Sequence, residues 1–77
     1  MARVVIEGWH DPRNARRVSL VDLIRQHAAL NLVEAKSILD AFAELGRAEI
    51  VFQDRQRATS FVREANVLGV IARLQDE

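Results

Sequence analysis

Cysteine is absent from these 77 residues, so neither a disulfide framework nor a thiolate zinc site can supplement the core, and a reducing, cytoplasmic setting is expected. No apolar run approaches the roughly 20 consecutive residues of a membrane helix, although 49% of the chain is apolar. A soluble protein with no membrane partner is the expectation. The opening Met1-Ala2-Arg3-Val4 runs straight into an apolar alternation and lacks the zones of a secretory signal. Neither sign of charge prevails: 11 basic side chains balance 11 acidic ones, which runs against a protein whose main task is to coat a nucleic-acid backbone. Glycine and proline are scarce, three and one, and each falls at an element boundary, so residues 1–77 read as a single domain without linkers or repeats.

What is present is periodic. From Arg3 to Trp9, Val4 and Ile6 fall on one side and Val5 on the other, a β-branched run suited to a strand. His10-Asp11-Pro12-Arg13-Asn14 then turns the chain, because Pro12 cannot donate to a ladder. From Val18 the spacing becomes helical: Val18, Val21, Ile24 and Ala28 form the expected core stripe, with Leu20, Leu23 and His27 flanking it. Asn31, with Glu34 three residues on, has the spacing of a capping box and starts a second helix. Leu32, Ala35, Leu39, Phe42 and Ala43 are its expected buried stripe, and Gly46 is its C-terminal cap. Ala48–Phe52 suits a strand. Asp54 caps a third helix whose inner face is Ala58, Phe61, Val62, Ala65 and Leu68, Gly69 closes it, and Val70–Leu74 is the last strand before an acidic tail that should fray.

The order strand, helix, helix, strand, helix, strand implies an α+β two-layer sandwich. Two successive helices return the chain to its starting end, so the second strand opposes the first, and one further helix makes the third strand parallel to the second. The first strand is therefore central in a three-stranded antiparallel sheet, with all helices on one face.

The candidate sites are few. His10 and Asp11 are adjacent in sequence and short of the three or four ligands a zinc ion takes, so no metal is expected. Ser19, Ser37, Thr59 and Ser60 lie on helices without a neighbouring base, so no catalytic residues and no cofactor are expected, and the chain reads as a non-enzymatic binding module. His27 is placed to cap carbonyls at the end of its helix, or to join Arg25 on a binding surface. Trp9, the sole tryptophan, is expected to be buried, or else to anchor a partner. Arg13, Arg16 and Arg17 form a basic cluster that reads first as a solvated loop and, together with Trp9, as an alternative nucleic-acid surface. The KH module for single-stranded RNA needs a GXXG loop between its helices. This chain has Leu30-Asn31-Leu32-Val33 there, which disfavours that route.

Val18-Ser19-Leu20-Val21-Asp22-Leu23-Ile24-Arg25, followed by Leu30-Asn31-Leu32-Val33-Glu34-Ala35-Lys36, resembles the C-terminal domain of the bacterial ribosomal stalk protein, the L-seven/L-twelve family. That family carries a similar helix, a Leu-Gly-Leu-Lys-Glu-Ala-Lys corner and the same element order, so the resemblance spans Arg3 to Leu74. It implies a protein partner, a translational GTPase, bound through the first helix and the corner by Val18, Val21, Arg25 and Lys36. Asp22 and Val33 stand where the family has lysine, and Asn31 where it has glycine. The Clp protease adaptors are similar in fold order and imply an alternative, peptide binding between Trp9-His10-Asp11 and the second helix, with Asp11 alone matching their amino-group ligands. The oligomeric state is left open.

Overall fold

The structure, a computed structural model, describes residues 2–75. The expected fraying at Asp76 and Glu77 lies outside them. Within that range the chain forms β1 (Ala2–Trp9), a 3-10 turn (Pro12–Asn14), α1 (Arg17–Ala28), α2 (Leu32–Leu45), β2 (Ala48–Phe52), α3 (Arg55–Leu68) and β3 (Val70–Gln75). The sheet order is β2-β1-β3, with both outer strands antiparallel to β1. This is the α+β sandwich, in the β-α-α-β-α-β order, that the periodicities imply.

Local chemistry sets the helix ends. The Asn31 side chain accepts from the Glu34 N–H at 2.8 Å while Glu34 Oε1 accepts from the Asn31 N–H at 3.4 Å, completing the capping box. Asp54 Oδ1 accepts from the Arg57 N–H at 2.7 Å and starts α3. The α2 and α3 helices end on left-handed Gly46 and Gly69. By contrast, α1 starts at Arg16 without a side-chain cap.

The core lies between the sheet and the helices. Val4, Ile6, Ile50, Phe52 and Val70 from the sheet meet Leu20, Ile24, Ala35, Phe42, Ala58, Phe61 and Ala65 from the helices. Phe52 and Phe61 join the layers, their ring centroids 5.2 Å apart. At about 25 cal/mol per Å² of apolar surface, each of these large side chains contributes roughly 1.5–3 kcal/mol when buried.

Two helical stripes are phased differently from the sequence expectation. In α1 the buried centre is Leu20 and Ile24, with Val21, Leu23 and Ala28 half-buried, while Val18 is 78% exposed. The physical reason is that Leu20 and Ile24 stand one turn apart on the side toward the sheet, and Val18, two residues before Leu20, is rotated far from it. In α2, Ala35 and Phe42 are buried, but Leu32 and Ala43 lie at the edge of the stripe and are exposed.

One irregularity in β1 re-aims its end. Ile6 pairs with Ala72 and Gly8 with Ile71, so Glu7 and Gly8 together oppose a single β3 residue. Gly8 has φ +154°, a conformation that side-chain-bearing residues rarely adopt. The extra residue reverses the alternation, and Trp9, which would otherwise share the open face with Val5, pairs with Val70 on the helical side. There its ring lies 6.1 Å from that of Phe42. On the open face Val5 is fully buried, flanked in register by Glu49 and Arg73, and Arg73 pairs with Glu7 at 2.7 Å.

Candidate interaction surface

The α1 helix packs against both α2 and α3, so it is the middle helix of its layer. Helical spacing then decides what faces each neighbour. Arg17 of α1 lines a depression of about 190 Å³ with Leu39, Phe42 and Ala43 of α2, closed below by Gly8 and Trp9. Residues three and four apart share a helix face, so Val21 and Arg25 continue from Arg17 along the side of α1 toward α2, and Val18 lies farther round toward solvent. On α2, Leu32 and Lys36 precede Leu39 and Ala43 at the same spacing and continue the side toward α1. This spacing puts Val21 and Arg25 of α1 and Leu32 and Lys36 of α2 on the facing sides of the two helices, in line with the depression that Trp9 helps to line.

The surface here is mixed. Val18 is 78% exposed and Leu32 43%, Val21 is half-buried, and Arg17, Arg25 and Lys36 are exposed without an ion-pair partner among the described residues. Apolar side chains in water beside unpaired cations suit an acidic, partly apolar protein surface. The corner joining the helices holds a further feature that the sequence did not signal: Ala29 has φ 57° and ψ 38°, the only non-glycine residue with positive φ among those described. Left-handed backbone costs an alanine about 1–2 kcal/mol, so packing and the capping box at Asn31 hold the corner in place against that strain.

The remaining sequence candidates do not form one site. Arg13, Arg16 and Arg17 are separated by the fold: Arg17 joins Trp9 in the α1–α2 depression, Arg16 lines a groove between α1 and α3, and Arg13 sits on the 3-10 turn. Trp9 is half-buried, less than expected: one part of its ring lies against Phe42 and the rest lines that depression, which is open to solvent. Asp11 accepts the Arg13 N–H at 3.1 Å and lines a different hollow with His10 and Asn14. The depression beside Trp9 therefore holds a guanidinium where an amino-group receptor would need a carboxylate. His27 neither caps α1 nor joins Arg25. Its Nε2 is paired with Glu64 Oε2 of α3, and its ring meets Phe61 edge-on at 6.2 Å. Among the described residues no three histidine, aspartate or glutamate side chains gather to hold a metal ion, and no helix is long and apolar enough to cross a membrane.

No protein-family model matches the chain, and no curated protein matches it.

Proposed function

We propose that the chain is a non-enzymatic protein-recognition module whose α1–α2 cleft receives an acidic segment of a cytoplasmic partner protein. What supports this reading is helical spacing that turns Val21 and Arg25 of α1 toward Leu32 and Lys36 of α2, with exposed Val18 nearby, so that apolar groups and cations without an ion-pair partner lie side by side. The strained, capped corner at Ala29 to Asn31 supports it, since strain of this kind persists where a fixed geometry has a use. The resemblance to the stalk protein's C-terminal domain narrows the partner to a translational GTPase. Asp22 and Val33, in place of two lysines, reduce the positive charge available to it, so binding is expected to be weaker and more dependent on apolar contact than a lysine-rich face allows.

The test is affinity capture from a cell lysate with the wild-type chain and with an Arg25→Glu/Lys36→Glu variant. A cleft that recognises an acidic partner recovers it with the first and loses it with the second, while circular dichroism shows both folded. Equal recovery by the two proteins removes the cleft from the account.

A further inference from the structure

A second docking surface lies on the other side of α1. Arg16, Ser19 and Leu23 of the α1 segment face Arg63, Glu64, Val67 and Leu68 of α3 across a groove of about 390 Å³. A smaller hollow of about 190 Å³, bounded by His10, Asp11 and Asn14, shares Arg16, Val67 and Leu68 with it, so the two form one continuous trough. Its wall is apolar: Val67 is 85% exposed, more than any other large hydrophobic side chain described, beside half-buried Leu23 and Leu68.

The trough carries two carboxylates and two guanidinium groups, and what differs is their pairing. Glu64 is paired with His27, and Asp11, which keeps its charge, accepts the Arg13 N–H. Its two guanidinium groups, Arg16 and Arg63, have no ion-pair partner among the described residues. The first turn of α1 opens onto the same place without a side-chain cap and without an acidic residue, which adds the positive end of a helix dipole. An occupant that satisfies both features brings carboxylates on either side of an apolar side chain.

We infer that this trough is a docking site for an acidic, amphipathic protein segment, distinct from the α1–α2 cleft and independent of it. A nucleic acid fits less well. The trough offers aliphatic walls where bases need stacking platforms, and Trp9 faces α2 instead.

The experiment is selection of a displayed random-peptide library on the full chain, followed by titration of one enriched synthetic peptide into isotope-labelled protein. The expected result is enrichment of aspartate and glutamate flanking an apolar residue, with amide shifts at Ser19, Leu23, Val67 and Leu68. Arg16→Glu/Arg63→Glu is expected to weaken the peptide about tenfold or more, and the milder Arg63→Gln and Val67→Glu to weaken it in part. Arg25→Glu/Lys36→Glu is expected to leave it unchanged, which separates this site from the cleft. The inference is overturned by peptides without acidic enrichment, by shifts confined to another surface, by an oligonucleotide that binds the same residues more tightly than the peptide, or by shifts there on concentrating the protein alone.

Discussion

Trp9 and Phe42 lie with ring centroids 6.1 Å apart and planes tilted by 38°, a contact between the end of the central strand and the second helix. It exists because Glu7 and Gly8 share one partner on β3, which brings Trp9 onto the helical side. The pair forms the floor of the depression at one end of the α1–α2 cleft, so a local irregularity of the sheet shapes the proposed binding surface.

Gly8→Ala tests that dependence. An alanine forced to φ +154° is strained although its Cβ meets nothing closer than the Ile71 side chain at 4.0 Å. A loss of about 1 kcal/mol in urea denaturation is expected, together with a changed Trp9 emission as the strand end relaxes. Unaltered stability and emission contradict the bulge's assigned role.

Ala29→Gly should act in the opposite direction. Relief of left-handed strain gains about 1–2 kcal/mol and the freer unfolded chain returns about 0.5–1, for a net stabilisation of about 0.5–1 kcal/mol in the same measurement. A destabilised variant shows that the alanine methyl makes a contact that outweighs the strain.

Asn31→Ala removes the oxygen that accepts the Glu34 N–H and should cost about 1 kcal/mol, whereas Asn31→Ser should cost little. Equal losses from the two substitutions mean that Asn31 acts through something other than its cap.

His27 and Glu64 join α1 to α3, but the carboxylate is 55% exposed, so Glu64→Gln is expected to cost well under about 1 kcal/mol. His27→Ala also loses the packing of its ring on Phe61 and should cost more, in thermal denaturation, than the carboxylate change. The reverse order makes the ion pair the dominant contact between the helices.

The strands, the helices and their order are legible in the sequence because their signals are local: β-branched alternation around Val4 to Ile6, the Asn31–Glu34 spacing, and Gly46 and Gly69 after apolar stripes. The sheet order follows from counting chain reversals. What is not legible depends on relations that no short window contains. Valine is apolar wherever it stands, so Val18 reads as core until the positions of Leu20 and Ile24 fix the rotation of α1. Nothing in an Ala-Ala-Leu run announces that Ala29 turns left-handed. The bulge at Glu7 and Gly8 appears only in the pairing with β3, and with it the side of the sheet on which Trp9 falls. Likewise Arg16 and Arg17 are neighbours in sequence but lie on opposite sides of α1, because consecutive helical residues are rotated by about 100°. Of the candidate site, the arginine cluster divides, Arg17 falling on the α2 side of α1 and Arg16 on the α3 side.

The most direct test of the central claim is to titrate isotope-labelled chain with the partner protein recovered by affinity capture and to follow the backbone amides together with the single tryptophan. The account predicts shifts at Val18, Val21, Arg25, Leu32 and Lys36, a change in Trp9 emission, and loss of both with Arg25→Glu/Lys36→Glu. Shifts confined to the open face of the sheet, around Val51 and Ile71, with the cleft undisturbed, would contradict it.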